Sequence, residues 1–359
     1  MAEPVSYHFD GHITAEGPIT VSYFGLDERL PRTPHGQVFL NGGTLRGALR
    51  KAGLVMLIRE LAKVRGQSQE AIFKRAEMYM LGEGVDITRQ VNSEIKGASY
   101  DPRAEAHLRK MNPFLSLFGR WKLAGYLEVS AMLTSQDNLI TAGQGARHDQ
   151  FEHDPSLVKY LNTEEQEALM SEMRSARDSM VEIEAIRGQV RELRAQSRRT
   201  ESVDGKKEIA AQIRDLEALE KETRLAREGS DESIKHPIQG YEAIAPGSQL
   251  SSHLRIVEGH ADVLGLLLHC LAEFSQRPRL GGHLAAGFGA IQAEWDVWQR
   301  NPGERRGHVI GNVQLDEMGI VLEGETLEEA WAAFEHGLPR YNFDLFTLKE
   351  ARECWKKEA

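Results

Sequence analysis

The sequence predicts an α+β protein whose sheet-forming part is interrupted by a long helical hairpin. Three observations predict it. Short runs rich in strand-forming residues, such as Val5-Ser-Tyr-His-Phe9 and Ile19-Thr-Val-Ser-Tyr-Phe24, occur towards both ends of the chain, punctuated by glycine and proline. Helical periodicity appears between them, in Leu45, Ala48, Leu49, Ala52, Val55 and Met56 and again in the apolar stretch His260 to Phe274. From about Pro155 to Gly229 the composition then changes. Leu169, Met173, Ala176, Met180, Ile183, Ile186, Val190 and Leu193 form one stripe, Ile209, Ile213, Leu216 and Leu219 a second, and the residues around them are charged or polar. Two amphipathic helices joined at Asp204-Gly205 and packed antiparallel explain this pattern.

The elements follow in order. Residues 5–24 read as a strand pair, and a loop to Gly36 precedes the strand Gln37–Leu40. Asn41-Gly42-Gly43-Thr44 then opens a helix, with Thr44 as its expected N-cap. Leu115–Gly119 reads as a lead into a turn, and residues 125–133 alternate as one strand. Past the hairpin come strands at 241–247, 249–257 and 290–295, with the helix 260–274 and a glycine-rich loop between them. A β-hairpin turns at Met318-Gly319, and the helix after it carries a capping box at Thr326 and Glu329. This places domain boundaries at 1–154, 155–235, 236–300 and 301–359.

With 359 residues the chain is long enough for two structural units, or for one enlarged by insertions. Cys270 and Cys354 stand far apart, which excludes a disulfide scaffold or a cysteine-rich zinc site and suits a reducing compartment. Residues 1–10 lack the features of a signal peptide, and the longest apolar run, Val263–Leu268, is too short to span a bilayer. A cytoplasmic protein with no membrane partner is expected. The net charge of -10 means that any nucleic-acid site must gather its cations on one groove.

Two segments carry the strongest chemistry. Gly281-Gly282-His283 to Phe288-Gly289 is rich in glycine, and Arg277 and Arg279 precede it. Cation, bare backbone and aromatic face together suit a single strand of RNA; the plain alternative is a bend that only glycine fits. Gly42, Gly43 and Thr44 put free N–H groups at a helix start whose exposed edge would carry Arg46, Arg50 and Lys51. That segment lacks the Lys-Ser/Thr ending of a nucleotide-binding P-loop.

Arg120-Trp121-Lys122 sets a ring between two cations, and Arg89, Lys96 and Arg103 are further candidates for the groove. His148, Asp149, Glu152, His153 and Asp154 would form two half-sites on a helix rather than one metal site. Asp27 and Glu28 are surface acids by default, no catalytic signature appears, and neither metal nor cofactor is expected.

In their order these segments resemble the RAMP superfamily of CRISPR-associated proteins, specifically the backbone subunits of effector complexes. The resemblance rests on Asn41-Gly-Gly-Thr-Leu-Arg-Gly-Ala-Leu-Arg50, the Phe118-Gly119 turn and the loop 281–289. Residues 25–32, Arg147-His-Asp-Gln-Phe151 with Asp154-Pro155, and Gly240–Gly247 are most similar to the type IV version. The likeness covers residues 5–300. It implies an RNA-recognition-motif-like (ferredoxin-like) palm with thumb and finger insertions. It also implies copies of the chain stacked along a CRISPR RNA, together with other effector subunits and a complementary target of DNA or RNA. In the related type III subunits an aspartate near the position of Asp27 cuts target RNA. Here the type IV-like context implies holding the target without cleavage; the alternative is a metal-dependent endoribonuclease acting through Asp27.

Overall fold

The structure, a computed structural model, describes residues 5–21, 30–85, 87, 101–142, 145–147, 162–199, 202–225, 236–238 and 240–358. The first part of the chain runs through β1 (Val5–Ala15), β2 (Val38–Leu40), α1 (Gly42–Arg65), α2 (Arg75–Gly82), α3 (Pro102–Met111) and α4 (Pro113–Phe118). Short strands follow, β3 (Leu127–Val129), β4 (Met132–Thr134), β5 (Leu139–Ala142) and β6 (Gly145–Arg147), and then the long helices α5 (Thr163–Arg199) and α6 (Val203–Leu225). The return path is β7 (His236–Ile238), β8 (Tyr241–Ile244), β9 (Gln249–Gly259), α7 (Ala261–Ser275) and β10 (Ile291–Arg300). The chain closes with β11 (His308–Asp316), β12 (Gly319–Glu323), α8 (Glu325–Gly337) and α9 (Leu348–Glu358). It divides into two compact units, residues 1–142 with 241–359, and residues 143–240.

The first unit is built on a six-stranded antiparallel sheet in the order β12-β11-β10-β1-β9-β3. Period-two alternation gives it two unlike faces. Tyr7, Phe9, Ile13, Leu250, Leu254, Ile256, Trp295 and Val297 are buried on one, in a single core with Leu45, Leu49 and Leu57 of α1 and Leu264, Leu267 and Leu271 of α7. His8, Asp10, His253, Arg255 and Arg300 occupy the other face. The Trp295 indole donates to Ser252 Oγ at 3.0 Å, so the one polar group of that large buried side chain is satisfied.

The chain after β12 adds to this core. Trp331 and Phe334 of α8 pack on His269 of α7, the Trp331 and His269 rings stacked 3.7 Å apart. Further on, Asn112 Nδ2 donates to the carbonyls of Phe343 and Leu345, and Arg352 of α9 pairs with Asp101 at 2.9 Å.

In the second unit, α5 and α6 run antiparallel. Arg187 pairs with Glu220 at 3.0 Å and Arg194 with Glu217 at 2.9 Å, while Ile183, Ile186, Val190 and Ile209 are buried. The helices are unequal, 37 and 23 residues, and Asp204-Gly205, expected as their joint, lies in the first turn of α6, which begins at Val203.

Several expectations need correction. The expected second strand of a pair over 5–24 is not seen within the described residues 5–21: beyond Ala15 the backbone makes the bridge Ile19 to Ile244 and otherwise bonds to Gly282, Gly289 and Ala290, while residues 22–24 lie outside the described residues. Residues 125–133 split at Ser130, with β3 joining β9 while β4 turns to β2. Pro113–Phe118, which does lead into a turn at Gly119, is itself helical, capped by Asn112 Oδ1 on the Leu115 N–H. The N-cap of α1 is Asn41, not Thr44, and α8 starts after Gly324 with no side-chain cap where a capping box was expected.

Candidate nucleic-acid interface

After α4 the backbone reverses through Gly119 (φ 66°) and Lys122 (φ 68°), and Arg120 and Leu123 close the turn as a bridge. The Trp121 N–H is held by the Gly84 carbonyl at 2.8 Å, which projects the indole outward at 63% exposure. Two side chains of α1 secure the base of this turn. Arg46 Nη2 donates to the Phe118 carbonyl at 2.6 Å, and Arg50 donates from Nε to Leu81 at 2.6 Å and from Nη2 to Gly119 at 2.8 Å. Burial, with Arg46 as a like-charged neighbour, pushes the Arg50 guanidinium down to about 10. Arg46, Arg50, Arg120, Trp121 and Lys122 line one concavity of about 580 Å³, together with Glu83 and Gly84.

Two segments read separately in the sequence therefore meet, but their roles differ from expectation. Arg46 and Arg50 were expected on a solvated edge; their guanidiniums instead bind carbonyls, because the loop from α4 crosses that face of α1. Arg120, expected as one of two cations flanking the Trp121 ring in the groove, is buried, with Nε on the Phe346 carbonyl at 2.7 Å and Nη1 on the Trp121 carbonyl at 3.0 Å. The exposed groups are Trp121 and Lys122 at the rim and Lys51 further along α1. At the start of α1, Asn41 Oδ1 takes the Gly43 N–H and the Asn41 carbonyl takes that of Thr44. A Cβ on Gly42 would collide with the Val129 carbonyl, so the close contact with β3 requires glycine here.

The glycine-rich loop forms a separate cluster. Gly281 has φ 89° and its backbone runs against Thr20, whose carbonyl accepts from Gly282 N at 2.8 Å; Gly289 N reaches Pro18 in the same way. Its tight approach is to the protein's own residues 18–20. Arg279 Nη1 holds the loop closed through the carbonyls of Leu284 (3.1 Å) and Phe288 (3.3 Å). Phe288, expected to offer a stacking face, is buried beneath the loop. His283 is exposed, in the left-handed conformation, with its ring 4.1 Å from that of Tyr241, and Arg277 is exposed beside the loop.

Arg103, on α3, lies over the Trp355 ring at 5.7 Å. Asp27, Glu28, Arg89, Lys96, His148, Asp149, Glu152, His153 and Asp154 lie outside the described residues. Among the described residues no group of three or more His, Cys, Asp or Glu is placed to hold a metal, and no helix is long and apolar enough to cross a membrane.

A second concavity, of about 610 Å³, lies on the polar face of the sheet, and no sequence motif marks it. His8 of β1, Arg255 of β9, Trp298 and Arg300 of β10, and Arg305 and Arg306 of the turn after β10 line it, scattered over almost the whole chain. The available signal was the alternation within each strand: near one end of the sheet the positions opposite the apolar set include His8, His253, Arg255, Trp298 and Arg300, with Asp10 and Glu128 among them.

Fold and linings together define an α+β protein with an antiparallel sheet and two concavities that combine arginines with an accessible tryptophan. No protein-family model matches the chain, and no curated protein matches it. Among solved structures it is similar to the crystal structure of Thermofilum pendens Csc2, at 9% identity over 99% of this chain and 90% of that one, with a TM-score of 0.37. It is also similar to a chain of a type IV-B CRISPR complex, at 14% identity over 84% of this chain and 92% of that one, with a TM-score of 0.34.

Proposed function

We propose that the chain is a CRISPR RNA-binding backbone subunit that assembles along the guide in a type IV-like effector ribonucleoprotein and supports target binding without cleaving it. The observation that carries this reading is the concavity around Trp121. An exposed indole and Lys122 stand at its rim, and three arginines form its base. Stacking on the ring combined with a cationic floor holds a single strand without reading its sequence.

The palm assignment has its own support. In chain order β1, α1, β3, β9, α7 and β10 read β-α-β-β-α-β, and the sheet places them β10-β1-β9-β3, as in a ferredoxin-like unit. On this reading β11, β12, α8 and α9 extend the palm, and the negative net charge resides on surfaces away from the guide. Partners are the guide, a complementary DNA or RNA, further copies of the chain and other effector subunits.

The test is expression alongside a CRISPR array, followed by sequencing of the RNA that co-purifies. The proposal expects repeat-derived guides protected in regular steps. Recovery of no RNA, or of cellular RNA in proportion to its abundance, overturns it.

A further inference from the structure

On the polar face of the sheet the strand register sets four side chains in one row. Glu128 lies opposite Arg255, Arg255 opposite His8, and His8 opposite Trp298. Arg300 is the next residue of β10 on the same side, and the turn beyond it folds back so that the Arg306 guanidinium sits 5.6 Å from the centre of the Trp298 ring. Arg305 completes the lining.

The charges follow a pattern. The lining holds four arginines against two carboxylates, Asp10 and Glu128, a local excess of cations in a chain of net charge -10. Asp10 is occupied by His253, Oδ1 to Nδ1 at 2.7 Å, and Glu128 approaches Arg255 no closer than 3.8 Å. Arg300, Arg305 and Arg306 make no ion pair with a carboxylate among the described residues. Burial and the charges of Arg255 and Arg300 hold the His8 imidazole below its usual range, against a smaller opposing effect of Glu128, so near neutral pH it is a hydrogen-bonding group between cations.

A half-open indole clamped from one side by a guanidinium, with more guanidiniums along the strand, matches a planar ring bearing a phosphate. We infer that this face is a second single-stranded nucleic-acid site, separate from the Trp121 concavity, which seats a base on Trp298 and the neighbouring phosphates on Arg255, Arg300 and Arg305. The two linings share no residue, so the inference does not rest on the guide-binding reading. An acidic peptide would satisfy the arginines, but it would leave the indole face unused and bring carboxylates towards Asp10 and Glu128.

The test uses the full chain, freed of nucleic acid, with an oligouridine carrying 4-thiouridine. After irradiation, mass spectrometry expects adducts on the peptides of β1 and β10 that contain His8 and Trp298. Adducts confined to other parts of the chain overturn the inference, and this arm needs no variant to fold. In parallel, Trp298→Ala is expected to weaken oligouridine binding about tenfold, and Arg300→Glu to weaken it and flatten its salt dependence. Unchanged affinity in both folded variants also overturns it, as does displacement by oligoglutamate of a probe that oligouridine does not displace. Loss of adducts at Trp121 with retention at Trp298 would sink the guide-binding reading alone; the opposite pattern would sink this one alone.

Discussion

Arg120 Nε donates to the Phe346 carbonyl oxygen at 2.7 Å, so a buried cation ties the turn that presents Trp121 to the C-terminal extension. The same guanidinium holds the Trp121 carbonyl through Nη1. Hydrogen bonds from a charged group contribute about 1.5–3 kcal/mol each, and truncation here also leaves the Phe346 carbonyl without its guanidinium donor. Arg120→Ala is therefore expected to destabilise the fold by about 2–3 kcal/mol, read as a lower denaturant midpoint with an unchanged m-value. A midpoint equal to wild type would show that the extension is held without this contact.

Trp121 and Arg50 are neighbours in one lining with opposite expected phenotypes. Trp121→Ala removes an exposed ring and should leave stability within about 0.5 kcal/mol of wild type, while weakening binding of single-stranded RNA about tenfold. Arg50→Glu should unfold the region at lower temperature, because a carboxylate would face the carbonyls of Met80, Leu81 and Gly119. Thermal melts and RNA titrations of the two variants separate a binding residue from a supporting one. A stable Arg50→Glu that has lost RNA would make Arg50 a direct RNA contact rather than chiefly a support of the concavity's base.

The contrast also shows what the sequence makes legible. α7, β9, the β11–β12 hairpin and the paired long helices were readable because their periodicity is local and unbroken. The concavity was readable only as ingredients. Nothing in the order of residues 41–51 says that the chain from Phe118 to Gly119 will cross that face of α1 and turn Arg46 and Arg50 inward. Phe288 misled for a similar reason, since a phenylalanine in a glycine-rich loop faces solvent or core according to where residues 18–20 run. The face around Trp298 was hidden because its members come together only through strand register.

Tyr341 supplies a pH test. Its hydroxyl donates to Asp262 Oδ2 at 3.0 Å, and burial first, then the Asp262 charge, hold its ionisation well above the usual tyrosine range. Because the folded value is raised, this contribution to stability is fully present below the unfolded value of about 10 and is lost as pH rises through the folded value. Stability should thus decline above about pH 10, and Tyr341→Phe should flatten that decline while lowering stability at neutral pH by about 1–2 kcal/mol. Tyr7, raised by burial and by the same Asp262, and Tyr126 and Cys270, raised by burial, contribute to the slope that remains. A Phe variant with an undiminished alkaline slope would assign the decline elsewhere.

Asp27→Ala is expected to leave guide binding, target binding and interference unchanged, in keeping with a subunit that holds its target without cutting. The measurement is incubation of the assembled complex with complementary RNA and a divalent metal. Cleavage by the wild type that disappears in the variant would make the chain an endoribonuclease.

The second unit leaves and rejoins the first at two residues that are already partners. Ala142 at the end of β5 lies opposite Tyr241 at the start of β8, within the register that continues to Leu139 and Ile244. The ends of the first unit are thus a single strand spacing apart, about 5 Å, and a short turn can join them with little loop-closure entropy. Within the second unit, β6 pairs with β7, and Ile183, Ile186 and Val190 of α5 are buried together with Ile209 of α6, so it has apolar burial of its own. Replacing residues 143–240 by a Gly-Asn-Gly-Ser turn should give a folded protein that keeps the β5–β8 ladder and still binds single-stranded RNA. The loss should appear instead in assembly or in target capture, with the arginines on α5, Arg191, Arg194 and Arg198, as the first side chains to test against nucleic acid. Amide exchange on residues 139–142 reads the ladder directly. An insoluble variant, or a soluble one whose ladder exchanges freely, would make the hairpin part of the core rather than an insertion.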